Sequence, residues 1–314
     1  MSNIAPRPAP LACWVCGSTA HKVWKPRSFP RALHPGDLQI TDSRYGQTLT
    51  LRKCADCGFI FTDDGEVAEL VALYERLDDP GYEATQDTRS LQMRWLLGRT
   101  LSARPLARTW LDIGAGAGLL VAEAQRRGLD AAGVEPSHAL VAAASALNGV
   151  ALLQGTFPHP ALAGRKFDVI SLVDVIEHVS VPVALLSQCR EALTPEGVLL
   201  VVTPDVGSFL AHRLGPRWWH FRLAHVGYFD RASLGCAAAR AGLAPMAWFR
   251  ARWFFRIHYL AKRMEAYLPV GLWNRFALRV PPLAWLYQRI IPLNLFDSWV
   301  VLLGSANPPD QFHQ

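Results

Sequence analysis

Asp112, Gly114, Gly116, Gly118, Glu135 and Pro136 fall within one stretch, TWLDIGAGAGLLVAEAQRRGLDAAGVEPS. A short apolar run, Trp110 to Ile113, contains an acid and breaks into alternating glycines. Glycines lack a Cβ, so a nucleotide-like ligand can approach the backbone closely. Glu135 lies nineteen residues after Gly116 and ends a second apolar run, Ala131 to Val134. An acid there suits the hydroxyls of a ribose. Dinucleotide sites have Gly-x-Gly-x-x-Gly, with a pyrophosphate on the helix N-terminus. Here the order is Asp-x-Gly-x-Gly-x-Gly, and Asp112 stands where a phosphate would be repelled. A carboxylate beside the turn suits the cationic ammonium end of a ligand.

A second chemical set is the cysteines. Cys13-Trp-Val-Cys16-Gly and Cys54-Ala-Asp-Cys57-Gly are two Cys-x-x-Cys-Gly knuckles. Two thiolates three positions apart share a metal in a tight turn, and two such turns complete a tetrahedral four-cysteine site with no open position. The metal is then structural zinc, held by Cys13, Cys16, Cys54 and Cys57. Disulfides are the competing reading, disfavoured if the protein is cytosolic. Cys189 and Cys236 are isolated in apolar helical contexts and read as small core residues.

The elements that must position these groups follow from periodicity. The apolar run, the glycines, the amphipathic stretch Leu119 to Arg127 and the second apolar run predict strand, turn, helix and strand, the unit of a doubly wound sheet. Asp168 to Val173 predicts another strand, running into Asp174, Glu177 and His178. Val198 to Thr203, β-branched and stopped by Pro204, predicts the next. Further strands are expected at 244–252 and 298–303, and in the knuckle region at 47–52 and 58–61. Helices are expected at 66–76 and 82–101.

Taken together these segments, over roughly residues 108–250, resemble the class I S-adenosylmethionine (SAM)-dependent methyltransferases. The resemblance implies an α/β Rossmann-like, doubly wound seven-stranded sheet that binds SAM. Asp112, the Gly114, Gly116 and Gly118 backbone, Glu135 and Pro136 would hold its ammonium and ribose ends, with Asp174 nearby. The family places an adenine-reading acid after the third strand; here Gln154 or Thr156 would substitute for it, with Phe157 stacking on the adenine. The acceptor's proton would pass to a histidine, His225 or His178. In quinone-pathway O-methyltransferases a similar Glu-His cluster supports a divalent metal, which makes Asp174, Glu177 and His178 a magnesium set. Members without metal share these residues, so metal-free chemistry is the expectation. Tyr74 and Tyr82 are candidates to cover the cofactor.

Paired knuckles before such a domain resemble bacterial sugar and metabolite methyltransferases, which implies a small-molecule or glycan acceptor such as a nucleotide sugar or a lipid-linked intermediate. An RNA methyltransferase docking through the zinc ribbon, and a non-enzymatic SAM-binding protein, stay as alternatives. The net charge of +6 on 314 residues is too small to argue for nucleic acid.

The expected organisation is a zinc-ribbon module at 1–62, a helical linker covering the cofactor at 63–107 and the SAM-binding domain at 108–252. A helical insertion at 253–297 and a last strand with a tail at 298–314 complete it. The Pro-rich start has no apolar signal core, and no run reaches the ~18 apolar residues of a membrane span. The expected location is cytoplasmic. The insertion has eight Lys or Arg against one acid between Arg250 and Arg289, with dense aromatics. Phe254, Ile257, Ala261, Met264 and Leu268 recur at helical spacing there. It reads as a lid or dimer contact, or as a basic surface for peripheral contact with the inner face of a membrane.

Overall fold

The computed structural model describes residues 11–28, 37, 45–62, 67, 70, 73–74, 85–265, 267–268 and 270–306. Three short strands, β1 (His21–Lys25), β2 (Leu51–Cys54) and β3 (Ile60–Phe61), pair antiparallel in that order. The strand expected over 47–52 starts at Leu51 instead. Thr48 is held outside the ladder, its N–H on Ser28 Oγ (2.9 Å) and its carbonyl on the Ser28 N–H (3.1 Å). The strand expected over 58–61 is cut to two residues, because Cys54 N–H donates to the Phe59 carbonyl and closes the knuckle turn. Of the helix expected at 66–76, only residues 67, 70, 73 and 74 are among those described, and they are helical.

Helix α1 (Gln86–Ala103) leads into the main sheet. The sheet is built from β4 (Thr109–Ile113), α2 (Leu119–Arg126), β5 (Asp130–Glu135), α3 (His138–Asn148), β6 (Leu153–Gln154), β7 (Phe167–Val173), α4 (Pro182–Ala192) and β8 (Leu193–Pro204). After α5 (Phe209–Leu214) and the short β9 (Gly227–Tyr228) come α6 (Arg231–Arg240) and β10 (Leu243–Arg250). A ribbon of β11 (Trp253–Arg256) and β12 (Ile290–Leu293) encloses α7 (Ile257–Met264), α8 (Gly271–Ala277) and α9 (Pro281–Tyr287), and β13 (Ser298–Ser305) ends the sheet.

The seven strands run in the order β10-β13-β8-β7-β4-β5-β6. The five from β6 to β8 are parallel, and β13 is antiparallel to both its neighbours. The central strands read as unbroken apolar runs because helices cover both faces. Leu111, Ile170, Leu199 and Val201 face one side with Leu186 and Cys189 of α4 and Leu234 of α6. Trp110, Val169, Leu200 and Val202 face the other, with Leu96 and Leu97 of α1 and Leu120 and Val121 of α2. Cys189 is a buried core residue as expected, and Cys236 packs against the same core.

Two expected boundaries shift. The N-terminal sheet continues past residue 62 by taking β9, which pairs antiparallel with β3, as its fourth strand. The insertion is only partly helical: Phe254 lies in β11, and Leu268 follows the end of α7. The β-branched Ile290 and Ile291 draw Trp253–Arg256 into a two-stranded stalk, which interrupts the expected apolar face. Asn274 is the polar centre of the cap, donating to the Ala261 carbonyl and Glu265 Oε1 (both 2.9 Å). No described helix is long and apolar enough to cross a membrane.

Gly118, the N-cap of α2 at φ +73°, packs where a Cβ would meet Val150 Cγ2 at 2.5 Å. Gly118→Val should therefore destabilise the fold by about 1–3 kcal/mol through strain and overpacking, read as a lower denaturation midpoint with an unchanged m-value.

Candidate functional site

Strands β4, β5, β7 and β8 all end at one edge of the sheet, so their carboxyl-terminal residues converge. A cavity of about 540 Å³ opens there, lined by Asp112, Gly114 and Gly116 at one end. Asp174, Glu177, His178, His220 and His225 line it further along. The turn is set by backbone geometry. Gly114 has φ +70°, and a Cβ on it would meet Val175 Cγ2 at 2.5 Å. The N–H groups of Gly114 and Ala115 both donate to the Val134 carbonyl, and the Gly116 N–H donates to Glu135 Oε2 at 2.9 Å. Glu135 Oε1 accepts from the Ser137 N–H at 2.9 Å. Burial pushes the Glu135 carboxyl up, opposed by these two amides.

Asp112 is buried and faces the cavity. Burial pushes its carboxyl up to about 7, with Glu135 adding to the effect and a hydrogen bond from Ser171 Oγ (2.6 Å) opposing it. A buried carboxylate with a raised pKa at a cavity wall fits an ammonium partner. The open glycine backbone beside it fits a ribose, with Glu135 fully buried behind that turn and holding it through the Gly116 and Ser137 N–H groups. The residues present thus fit SAM. Among those expected at the cofactor, Asp112, Gly114, Gly116 and Asp174 line the cavity, and Glu135 sits directly behind the turn. Gly118 packs under α2, and Pro136 is half-buried beside the Ser137 cap of α3. Gln154 is exposed and lies 2.9 Å from His138 Nε2, and Thr156 is exposed. Phe157 faces a separate shallow depression beside Pro158, His159 and Leu162. None of these five lines the cavity, and for Gln154, Thr156 and Phe157 the reason is that β6 is only two residues long and the chain leaves the sheet edge immediately after it.

The acceptor side holds both expected histidines, each half-buried. His178 Nδ1 is 2.7 Å from the Ala224 carbonyl, and burial pushes its pKa down to about 4. His225 is pushed well below the usual histidine range by burial, with His178, His220 and Arg222 adding to it. The two rings meet edge to face, 4.8 Å apart. Glu177 Oε2 accepts from Thr203 Oγ1 at 3.0 Å, and burial, with Asp174 adding, holds its carboxyl well above the usual range. Asp174 adopts φ +54°. It keeps a solvent-exposed edge in the cavity, and desolvation by the surrounding walls raises its carboxyl to about 6, opposed by His220 and Arg89. The expected magnesium set changes membership: ligand atoms of Glu177, His178 and His225 lie within 4.8 Å of one another, and Asp174 is not among them. Two imidazoles and one carboxylate suit a borderline transition ion better than magnesium, which prefers oxygen donors.

The sequence reading missed the pair His220 and Asp297. His220 Nε2 lies 3.3 Å from Asp297 Oδ2, at ion-pair distance though without an aligned hydrogen bond. Asp297 is 1% exposed, and its two carboxylate oxygens have no hydrogen-bond partner among the described residues. An imidazole at the cavity wall is therefore backed by a buried carboxylate. The two lie 77 positions apart in the sequence, so no local spacing links them. Tyr74 lines the cavity with its ring 6.5 Å from His178, whereas Tyr82 lies outside the described residues. Tyr45, Trp219, Trp253, Phe255, Tyr259 and Arg263 also line the cavity, together with Arg89, Arg222 and Arg256.

The four knuckle cysteines converge, with Cys13 and Cys57 Sγ 3.6 Å apart and Cys16 and Cys54 Sγ 3.5 Å apart. All four sulfurs fall within 4.8 Å of one another. Thiolates around one zinc at about 2.3 Å would stand about 3.8 Å apart, so the cluster fits that metal.

A family described as a methyltransferase domain matches residues 85–247, more than half of the chain. The chain belongs to the methyltransferase-domain family. With that membership goes the use of SAM as methyl donor. The chain is similar to the ubiquinone biosynthesis O-methyltransferase of Cereibacter sphaeroides, 36% identical over 116 residues, which cover 34% of this chain and 47% of the relative. It is similar to the enzyme of the same name from Psychrobacter cryohalolentis, 32% identical over 165 residues, 49% of this chain and 64% of the relative. The matches thus span about half the length of these curated relatives. Among solved structures, the CcbJ methyltransferase from Streptomyces caelestis aligns with a TM-score of 0.45 at 17% identity, covering 69% of this chain and 90% of that one.

Two outcomes follow from this geometry. Metal analysis of the purified protein should find one zinc per chain, and Cys54→Ser should lose it and melt the N-terminal sheet first, since binding and folding are coupled. For Asp112 the folded pKa is raised, so its contribution to stability is present below the unfolded value of 3.8 and lost as pH rises through about 7. An ammonium partner favours the ionised form. SAM affinity measured by calorimetry should therefore rise about five- to tenfold between roughly pH 6 and 7.5, below the range where an α-amine deprotonates. Asp112→Asn should remove that dependence.

Proposed function

We propose that this chain is a SAM-dependent O-methyltransferase acting on a small-molecule hydroxyl. One observation carries the reading: a single cavity runs from the glycine turn to His220, an imidazole backed by the buried Asp297 carboxylate. SAM, when bound, supplies a methyl group activated by a sulfonium. Asp112 and the Gly114 backbone would orient its ammonium end, and Glu135 would accept from the ribose. The aromatic wall excludes water and holds the acceptor in line. His220 takes the hydroxyl proton, and Asp297 stabilises the imidazolium that forms. His178 and His225, both held neutral by burial, orient the pocket. A phenol or catechol fits this arrangement better than a sugar hydroxyl. Its proton is acidic enough for an imidazole, and Tyr45, Tyr74, Trp219 and Tyr259 offer flat faces to an aromatic ring.

Transfer of tritiated methyl from SAM to 3,4-dihydroxybenzoate and related catechols, with nucleotide sugars in parallel, tests the acceptor class. His220→Ala should lower methyl transfer by about 10²–10⁴-fold with SAM affinity retained, and Asp297→Asn should fall in the same direction by a smaller factor. Full turnover in His220→Ala would overturn the assignment of the proton acceptor.

The cap bears on how the acceptor arrives. Leu272 is 81% exposed, and Phe276, Leu278, Trp285 and Leu286 are exposed with it. The Arg289 guanidinium lies over Trp285 at 3.8 Å. An apolar face edged by cations supports contact with an anionic membrane, from which a lipophilic acceptor would enter past His258 and Tyr259. Co-sedimentation with phosphatidylglycerol vesicles should weaken with salt and disappear in a Leu272→Glu, Phe276→Glu double variant.

A further inference from the structure

The cysteine module and the histidine-bearing turn are one packed unit. Between α5 and β9 the chain is irregular apart from one helical turn at Gly215–Arg217. Phe221 N–H donates to the Trp218 carbonyl at 3.0 Å, and His225 N–H donates to the Arg222 carbonyl at 3.1 Å. The position of this turn is set by three buried aromatic anchors, Trp218, Phe221 and Tyr228, which flank His220 and His225. These anchors share one buried cluster with Leu51 of β2 and Ile60 of β3. The backbone is tied to the same sheet: Gly46 N–H donates to the Phe221 carbonyl (2.8 Å) and Thr62 N–H to the Val226 carbonyl (3.1 Å), while Ile60 pairs with Tyr228 and Phe61 with Gly227. Gly227 permits this approach, since a Cβ there would meet the Phe59 ring at 2.8 Å.

The other side of the turn rests on the methyltransferase domain. Val226 N–H donates to the Glu177 carbonyl at 2.9 Å, and the His178 ring holds the Ala224 carbonyl. His220 and His225 are thus clamped between two sheets. Leu51 lies three residues before Cys54, and Ile60 three after Cys57. The second knuckle therefore closes the hairpin that places both residues under the turn.

We propose that the four-cysteine module is a scaffold for the acceptor side of the active site, with Leu51 and Ile60 as positioning residues for His220 and His225. The proposal rests on the reading of His220 as proton acceptor for its bearing on turnover, but not for its geometry. It gives the knuckles a role inside the chain, because the sheet edge at β3 is occupied by β9 and not offered to RNA. Methyl transfer is sensitive to small displacements of the groups that align it, so loosening one side of the clamp should act on chemistry without touching the SAM end of the cavity.

The test uses the full-length, zinc-loaded chain labelled with nitrogen-15 histidine. In Leu51→Ala the imidazole resonances of His220 and His225 should shift or broaden, while His138 and His159, on the far side of the sheet edge, stay in place. Zinc content and SAM affinity should be unchanged. Ile60→Val should move the same two rings by a smaller amount, and decides the matter alone if Leu51→Ala fails to fold. Leu51→Ile should restore the native positions. Leu302→Ala, an equally buried truncation in the main sheet, should leave His220 and His225 unmoved. Unchanged His220 and His225 rings in Leu51→Ala and Ile60→Val, or all four histidines moving together, would overturn the scaffold. Methyl transfer to 3,4-dihydroxybenzoate retained in His220→Ala, with the rings still moving in Leu51→Ala, would overturn the proton-acceptor reading alone and leave the scaffold standing.

Discussion

Parallel pairing of β4 with β5 on one side and β7 on the other places the ends of three strands at one level of the sheet. Asp112, Glu135 and Asp174 are carried there together, and the chain must then turn away without leaving polar groups unpaired. It does so by directing backbone amides at carboxylates. Gly116 and Ser137 both donate to Glu135, which couples the glycine turn to the start of α3. The same alignment exposes Asp112 to the cavity while Ser171, itself receiving the Trp110 indole N–H at 2.8 Å, donates to it from the core. A one-residue slip of register would send these groups to the opposite face, so the site depends on the ladder as much as on the residues.

Burial gives the two ends of the cavity different characters. At the SAM end desolvation raises the carboxyls of Asp112 and Glu135, and only Asp112 reaches the cavity wall. On the acceptor side the same desolvation pushes the His178 and His225 imidazoles down and the Glu177 carboxyl up. Among these imidazoles, His220 stands out because a buried carboxylate faces it. Removing water strengthens that pairing, since the Asp297 oxygens have no hydrogen-bond partner among the described residues to share the charge.

The additions to the methyltransferase domain wall the same cavity from opposite directions. Tyr45 comes from the N-terminal region and Tyr259 and Arg263 from α7 of the cap. Arg263 Nη2 donates to the Tyr259 hydroxyl at 2.7 Å, and its Nη1 donates to the Tyr45 hydroxyl. Burial pushes the Tyr45 hydroxyl up to about 12, so this contact is between a cation and a neutral phenol. The acceptor pocket is thus assembled by segments more than two hundred residues apart in the sequence.

The sequence alone determined what local spacing can encode. The glycine turn with its flanking acid, the alternating apolar runs of the sheet and the paired cysteine knuckles each rest on residues a few positions apart, where steric and coordination rules act directly. It placed Asp112, Gly114, Gly116, Asp174 and His178 at the cavity for the same reason, since each lies at or just after the end of a strand that is legible in the sequence, and it placed His225 there by resemblance. It did not foresee that the chain leaves the sheet edge right after β6, which carries Gln154, Thr156 and Phe157 off the cavity wall. The partnership of His220 with Asp297, the adoption of β9 by the cysteine sheet and the ribbon beneath the cap were decided only by tertiary structure. Each joins groups brought together by the whole ladder of strands, and the free energy that selects them comes from burying surfaces distant in sequence, which no single segment carries.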